Sequence, residues 1–253
     1  MKQTKYIVVL MMLFITSISQ AQQPGKILIA AASDLKFALD SMVTIFKKNN
    51  SGTVDVTYGS SGKLSEQISN GAPFDIFFSA DINYPRQLKE KGLTASEDYL
   101  YGIGRIVLWS KKLDPNKNGM NSLVSPSIKK IAIANPVHAP YGKRAEEALT
   151  YYKLLEKVKS KLVYGENISQ TAQFITTGAA DIGIVALSLA VSPNMKKEGG
   201  KYYLIPENSH KPLEQGAVIT RNGKGNDLAK DFMEFIKSDT ANKILFHFGF
   251  TKP

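Results

Sequence analysis

The residues best suited to binding or catalysis lie in the stretch YGSSGKLS, residues 58–65, which combines glycines, hydroxyl groups and a lysine. A phosphate-binding Walker loop would need glycine five residues before its Gly-Lys pair and Ser or Thr after it, but those positions hold Thr57 and Leu64. A serine nucleophile elbow would need the spacing G-x-S-x-G, and Gly59 and Gly62 are one residue too close together. The stretch therefore predicts neither motif, only a turn that offers hydroxyls and backbone N–H groups.

Four turns of the chain share one feature, namely polar or small residues that follow a predicted strand and precede a predicted helix. They are residues 32–34 (ASD), 59–62 (GSSG), 139–142 (APYG) and 165–169 (GENIS). The first turn of a helix leaves up to four N–H groups unpaired and carries a partial positive charge, so it can hold an anion without a cationic side chain. Taken singly, Ser33, Ser61 and Asn167 would be ordinary N-caps. Because there are four such turns, we interpret them together as an anion cradle.

Metal and acid–base chemistry have few candidate residues. The chain has three histidines and no cysteine, and no two histidines have the H-x-x-x-H spacing of a metal site. A structural zinc site is therefore not expected. His138 lies in the turn 135–142 that leads directly into a predicted helix, and we interpret it as a residue that supports the loop.

Strand-like apolar runs alternate with helical periodicity through most of the chain, which favours βαβ units and an α/β fold with mainly parallel sheets. The predicted strands are residues 26–32, 54–58, 74–79, 106–109, 130–134, 179–186 and 215–220. The simplest arrangement has two lobes, residues 22–103 plus 214–253 as lobe I and residues 104–213 as lobe II, with two hinge crossovers near residues 101–105 and 211–216. Each lobe would be a mainly parallel sheet flanked by helices. Because open α/β sheets bind ligands at the carboxyl ends of their strands, we expect the ligand cleft between the lobes.

The first 21 residues have the pattern of a signal peptide. Lys2 and Lys5 precede an apolar run over residues 7–18, and the following Ser19-Gln20-Ala21 is a small-x-small pattern of the kind that a signal peptidase cleaves. The run is too short to span a hydrocarbon core of ~30 Å comfortably. We therefore expect a periplasmic protein, cleaved near Ala21 and without stable membrane insertion afterwards; an uncleaved anchor is the alternative.

The chain is basic, with a formal net charge of +10. Removal of the leader takes away Lys2 and Lys5 and no acidic residue, which leaves +8 on the mature chain. A positive balance attracts anions of any kind. The lysines are scattered, and no basic run is interleaved with aromatic residues as in a nucleic-acid-binding surface. A small anion, rather than nucleic acid, is the expected partner.

Five blocks and the chain ending together match one known family. They are AASDLKFALD from residue 31, YGSSGKLSEQI from 58, NGAPFDIFFSAD from 70, ANPVHAPYGKRAEEAL from 134, GAADIGIVALS from 178 and FHFGF from 246. The chain resembles the periplasmic molybdate-binding proteins of molybdate ABC transporters, which have the type II periplasmic binding fold. The resemblance implies capture of molybdate and tungstate in the periplasm and delivery to an ABC-transporter permease. It implies a non-enzymatic protein without a cofactor, and a monomer is the default expectation.

The resemblance also implies which residues surround the oxyanion. Ser33 and Ser61 would contribute hydroxyls, with Ser60 as the neighbour of Ser61. Tyr141 and Ile168 would contribute backbone N–H groups. The protein would contact only the oxygens of the bound oxyanion, so no residue would be a direct ligand of molybdenum.

The chain departs from the family at one position. Some family members place a tyrosine hydroxyl on the anion after the Gly-Ile-Val strand, and this chain has Ala186 there. The Tyr141 hydroxyl, Asn167 or water could take over that role.

The chemistry of the ligand makes Asp34 a residue of interest. Molybdate and tungstate are fully ionised tetrahedral dianions at neutral pH, so a site made only of donors suits them, whereas an acceptor carboxylate would suit a protonated phosphate. We interpret Asp34 as the first helical residue, favoured there by the helix dipole, with its carboxylate turned to solvent. If it faces the cleft instead, phosphate becomes a candidate.

Two alternatives stay open at this stage. The first is a receptor for another oxyanion in the same fold, such as sulfate, thiosulfate or phosphate. The second belongs to another functional class and is an exported serine hydrolase that uses Ser61. It would require His138 within ~3 Å of Ser61 Oγ.

Overall fold

The structure is a computed structural model that describes residues 25–253. The predicted signal peptide, residues 1–21, lies outside the described residues. The strands are β1 (Gly25–Ala32), β2 (Gly52–Gly59), β3 (Ile76–Ser79), β4 (Tyr99–Gly104), β5 (Ile106–Ser110), β6 (Ile131–Ala134), β7 (Leu162–Gly165), β8 (Ile182–Ala186), β9 (Lys201–Leu204) and β10 (Leu213–Ile219). The α-helices are α1 (Lys36–Asn49), α2 (Ser61–Ser69), α3 (Asn83–Glu90), α4 (Pro140–Tyr151), α5 (Leu155–Val158), α6 (Ile168–Thr176), α7 (Leu187–Ala190), α8 (Pro193–Lys197), α9 (Asp227–Ile236) and α10 (Asp239–His247).

The strands form two five-stranded sheets with the same pattern of strand directions. The first sheet has the order β2-β1-β3-β10-β4, and the second has the order β7-β6-β8-β5-β9. In each sheet the second strand pairs in parallel with two neighbours, β1 with β2 and β3, and β6 with β7 and β8. One strand in each sheet, β10 or β5, runs antiparallel to both of its neighbours. The predicted two-lobe α/β fold is therefore confirmed, with lobe I built on the first sheet and lobe II on the second.

The core of lobe I follows from the two-residue period of its strands. Ile27, Ile29 and Ala31 of β1 belong to a cluster with α1, α9 and α10, whereas Ala30 belongs to a cluster with α2 and α3 on the other face. Because successive side chains point to opposite faces of a strand, a strand covered by helices on both sides must be apolar throughout. The aromatic ring of Phe232 in α9 meets Phe46 edge to face, with ring centroids 4.9 Å apart.

Three strands were not predicted from the sequence, and each has a physical reason. In β7 and β9, which lie at the sheet edges, most side chains are partly or fully exposed, so the apolar signal is weak. In β4, Gly102 and Gly104 suggested a break in regular structure. Gly104 is needed there because a Cβ atom would lie 2.4 Å from both Tyr141 Oη and Gln215 Nε2. The glycine therefore marks a close approach between lobes rather than the end of a strand.

Two chain segments connect the lobes. Arg105 alone separates β4 of lobe I from β5 of lobe II, and residues 205–212 lead from β9 back to β10. Since β4 and β10 are neighbours in the first sheet, both connections leave lobe I from the same side. The lobe boundaries drawn from the sequence, 22–103 plus 214–253 and 104–213, stay a prediction. No helix within residues 25–253 is long and apolar enough to cross a membrane.

Candidate functional site

A small cavity lies between the two lobes, where strand ends meet helix starts. Its volume is about 10 Å³, far below the ~300–1,000 Å³ of pockets that hold drug-sized ligands. Ser33, Ser60 and Ser61 of lobe I line it, together with Tyr141 and Ile168 of lobe II. The structure thus brings these predicted residues together around a space for a small ligand, although their role in binding stays a prediction.

The lining residues belong to the first turns of helices. Ser33 begins a 3-10 turn, Ser33–Leu35, that leads into α1, and Ser61 and Ile168 are the first residues of α2 and α6. Tyr141 is the second residue of α4. The N–H groups of Ser61, Tyr141 and Ile168 have no acceptor within their own helices, and they donate to no other described residue. These N–H groups are therefore available to an anion in the cavity.

The serine hydroxyls differ in how firmly they are held. Ser61 Oγ accepts a hydrogen bond from the Ala80 N–H at 3.0 Å, which fixes the oxygen and leaves its own proton for a ligand. Ser33 Oγ donates to Asn167 Oδ1 at 3.2 Å and accepts from the Ser169 N–H at 3.4 Å. Both bonds of Ser33 are long for their type, so we expect an anion to replace them easily.

The two remaining candidates lie beside the cavity rather than in its lining. Asn167 is the N-cap of α6, and its Oδ1 accepts from the Gln170 N–H at 3.0 Å. Ala186 ends β8 and is fully buried. The hydroxyl of Tyr141, which could have replaced the tyrosine missing at Ala186, donates instead to Asp34 Oδ2 at 3.0 Å.

The predicted orientation of Asp34 is wrong, because its carboxylate is buried rather than turned to solvent. Asp34 is 1% exposed and lines the cavity, and it lies in the 3-10 turn rather than at the start of α1. The lobe II residue Tyr141 covers it, and Gln215 Nε2 donates to its Oδ2 at 2.8 Å. Burial raises the pKa of Asp34 to about 6, against the opposing effect of the hydrogen bonds from Gln215 and Tyr141. Its Oδ1 atom has no hydrogen-bond partner within the described part of the chain.

The sequence did not predict Gln215 and Tyr101, which together with Tyr141 hold Asp34 in place. Gln215 is fully buried in β10, and its Oε1 accepts from the Tyr101 hydroxyl at 2.7 Å. The Tyr101 oxygen also lies 3.1 Å from the Ser79 carbonyl oxygen. A glutamine in a strand whose other residues are apolar except for the exposed Glu214 was the one available signal, since a buried amide needs polar partners.

Direct contacts between the lobes close the cleft over the cavity. The Gly62 N–H donates to the His138 carbonyl at 2.9 Å, and Ser60 Oγ lies 3.0 Å from His138 Nδ1, within hydrogen-bond distance. Lys63 Nζ and Glu166 Oε1 form an ion pair at 2.5 Å. We call these three contacts the cleft latch. They join the start of α2 to the turns that precede α4 and α6, so the structure has the closed arrangement of the lobes.

The latch also bears on the hydrolase alternative. That alternative required His138 next to Ser61 Oγ, but the histidine ring contacts Ser60 and Ser61 Oγ instead accepts from a backbone amide. A nucleophile needs a base within hydrogen-bond reach. In addition, no cluster of three metal-binding side chains occurs among residues 25–253. The site therefore offers hydrogen-bond donors rather than a catalytic pair.

The buried Asp34 predicts an unusual stability profile. Its folded-state pKa of about 6 lies above the ordinary value of 3.8, so the folded state binds the proton more tightly than the unfolded state. Stability is therefore lost as the pH rises from about 4 through 6, by roughly 3 kcal/mol for a shift of the pKa by about two pH units.

We expect Asp34→Asn to unfold at higher urea concentration than wild type at pH 7, with the difference vanishing near pH 4. Asp231→Asn, at an exposed position, is the control, and an unchanged pH profile in Asp34→Asn would contradict the prediction.

The comparisons with known proteins agree with this geometry. The family model described as bacterial extracellular solute-binding protein matches residues 27–251. The molybdate-binding protein ModA of Azotobacter vinelandii is 35% identical over 91% of this chain and 91% of its own length. The corresponding protein of Rhodobacter capsulatus is 33% identical over 89% of this chain and 88% of its own. The solved structure of the Azotobacter vinelandii periplasmic molybdate-binding protein has a TM-score of 0.84 at 33% identity and covers 90% of this chain and 99% of that one.

These findings confirm the family recognised from the sequence blocks. The relatives are binding proteins rather than enzymes, and the hydrolase alternative is not favoured. The chain therefore belongs to the bacterial extracellular solute-binding protein family, the same family as these molybdate-binding proteins.

Proposed function

We propose that this protein captures molybdate, and also tungstate, in the periplasm and delivers the anion to an ABC-transporter permease. The observation that carries the proposal is a small cavity lined by first-turn N–H groups and serine hydroxyls from both lobes. Such a site supplies donors to a fully ionised tetrahedral anion from several directions. The molybdate-binding relatives, at up to 35% identity over 91% of the chain, support this choice among the oxyanions.

In the proposed complex both lobes hold the anion. Ser33 and Ser61 donate from lobe I through their hydroxyls, and Tyr141 and Ile168 donate from lobe II through their backbone N–H groups. Because each donor lies at a helix start, the helix dipoles add to the attraction. The protein needs no cofactor, and the molybdenum atom is reached only through its oxygens.

Closure makes the complex selective for anions that fit. The lobes turn about the two connections near Arg105 and residues 205–212, as in other hinge-closing binding proteins. Closing the cleft removes water, and each hydrogen bond to the anion becomes stronger in the drier surroundings. The closed form, as a monomer, is the form that the permease recognises.

One observation favours a second candidate ligand, hydrogen phosphate. Asp34 lines the cavity with one oxygen that has no partner, and an ionised carboxylate there would accept the proton of a hydrogen phosphate ion. Phosphate therefore has to be compared directly with molybdate.

Titration calorimetry of the mature protein against a panel of anions tests the function. We expect molybdate and tungstate to give saturable heat and to raise the melting temperature, since a ligand at 1,000 times its Kd stabilises a protein by about 4.1 kcal/mol. The panel also contains sulfate, thiosulfate and phosphate. A response to one of these three and none to molybdate or tungstate would show that the ligand assignment is wrong, while the binding fold would stand.

A further inference from the structure

Asp34 presents one satisfied and one unsatisfied oxygen at the proposed anion site. Its Oδ2 accepts from Tyr141 Oη at 3.0 Å and from Gln215 Nε2 at 2.8 Å. The Tyr101 hydroxyl donates to Gln215 Oε1 at 2.7 Å, which keeps the amide nitrogen turned to Asp34. The Oδ1 atom has no partner among the described residues, although the side chain is buried and lines the cavity. The backbone N–H groups of Asp34 and Leu35 also lie near the carboxyl group and act to lower its pKa, so Oδ1 is the oxygen left for a ligand.

No cationic side chain of the described residues acts on the pKa of Asp34. Its titratable neighbours are the phenols Tyr141 of α4 and Tyr101 of β4, and α6 and α7 contact its turn through the uncharged Ser169 and Ser188. Glu214 of β10 is exposed. Three basic side chains of the nearby elements are paired elsewhere, Lys36 with Asp40, Lys63 with Glu166, and Arg144 with Glu147 and Asp81. An ionised Asp34 beside a buried dianion would therefore combine three negative charges without a counter-charge, which is strongly unfavourable.

Resting on the proposed function, we propose that Asp34 holds the oxyanion as a neutral carboxylic acid, with its proton on Oδ1 and donated to an oxygen of the anion. Capture then takes up one proton from solvent onto Oδ1, and no bond within the anion is made or broken. The neutral acid supplies a side-chain donor in a site that has Ala186 where the family resemblance implies a tyrosine in some members. It also favours fully ionised anions over hydrogen phosphate, which brings its own proton.

The pKa of Asp34 agrees with the direction of this proposal. Burial raises it to about 6 before any anion is bound, and a neighbouring dianion raises it further. Because the bound form has the higher pKa, affinity is greatest below the pKa of the free protein and falls as the pH rises above it. We expect the Kd for molybdate to rise by up to tenfold per pH unit above about pH 6.

Titration calorimetry with molybdate in buffers of different ionisation enthalpy counts the protons directly. Between pH 7 and 7.5 we expect wild type to take up close to one proton per molybdate. Asp34→Asn presents an amide N–H in place of the Oδ1 proton, so it should take up none and should bind at pH 8 at least tenfold more tightly than wild type. If Asp34 had only a structural role, Asp34→Asn would change neither the number of protons taken up per molybdate nor the dependence of the Kd on pH.

His138 is the matched control, because its ring contacts Ser60, which lines the cavity. His138→Asn should keep an uptake close to one. Uptake near zero in wild type with the molybdate heat intact would overturn the proposal, and so would uptake that survives in Asp34→Asn but disappears in His138→Asn. If Asp34→Asn does not fold, the proton uptake of wild type and of His138→Asn still tests the proposal, which requires a value close to one in both. The absence of molybdate heat at every pH would overturn the proposed function itself and this proposal with it.

Discussion

Replacing Gly62 by alanine should prevent closure of the cleft while both lobes stay folded. A Cβ atom at Gly62 would lie 2.8 Å from the His138 carbonyl oxygen and 2.9 Å from its Cα and Cβ atoms. All three atoms belong to the other lobe, and two of them are backbone atoms that cannot turn away. Within α2 the change is favourable, since alanine is a better helix former than glycine by about 0.8–1 kcal/mol. The substitution therefore separates closure from folding.

The expected loss of affinity for molybdate is large. If the lobes cannot meet, the anion keeps the donors of lobe I and loses those of Tyr141 and Ile168. Hydrogen bonds to charged groups contribute about 1.5–3 kcal/mol each, so the loss of two should raise the Kd by roughly 10² to 10⁴-fold. Small-angle scattering should show no compaction on addition of molybdate, in contrast to wild type.

Gln67→Ala is the matched control for Gly62→Ala, because Gln67 lies on the exposed face of the same helix. It should bind and close as wild type does. The closure model fails if Gly62→Ala binds molybdate within about threefold of wild type and compacts normally. Loss of binding together with a lowered melting temperature would instead point to a folding defect, contrary to the expected helix stabilisation.

The sequence predicted best those features that depend on local patterns. Strands such as β1 and β8 are continuous apolar runs because helices cover both faces of their sheets. The turns that hold Ser33, Ser61, Tyr141 and Ile168 were found because each precedes a helix, a signal that lies within a few residues, whereas the family resemblance singled out these four residues within the turns. Their placement around one cavity followed from the expected fold, in which strand ends of both lobes face the cleft.

The environment of Asp34 could not be predicted in the same way. Its partners Tyr141 and Gln215 lie 107 and 181 residues away in the chain, so no local pattern reports them. Locally, an aspartate after a strand and before a helix is a normal first-turn residue stabilised by the helix dipole. Only the contact between the lobes turns that residue into a buried acid.

Replacing both Ser33 and Ser61 by alanine should nearly abolish molybdate binding. Each serine is proposed to donate a hydroxyl to the dianion, and the loss of one such bond, about 1.5–3 kcal/mol, corresponds to roughly 10 to 150-fold in Kd. The two residues are held by different partners, Asn167 for Ser33 and the Ala80 amide for Ser61. Because both serines would contact the same anion, their losses need not add exactly; the additive value for the double variant is about 10² to 10⁴-fold.

Stability has to be measured beside affinity, because the two serines differ in their structural roles. Ser61→Ala leaves the buried Ala80 N–H without its acceptor, which costs about 1–3 kcal/mol of stability, whereas Ser33 has only long bonds to lose. Calorimetry well below the melting temperature of each variant removes this difference.

Ser60→Ala is the control next in sequence, since its hydroxyl meets His138 in the latch, and it should change the Kd less than tenfold. An effect of Ser60→Ala equal to that of Ser61→Ala, or a double variant within tenfold of wild type, would mean that the anion is held by other residues. Because both serines offer donors without regard to the central atom, their loss should weaken molybdate, tungstate and sulfate by similar factors. Selectivity among these anions would then come from the size of the closed cavity and from Asp34.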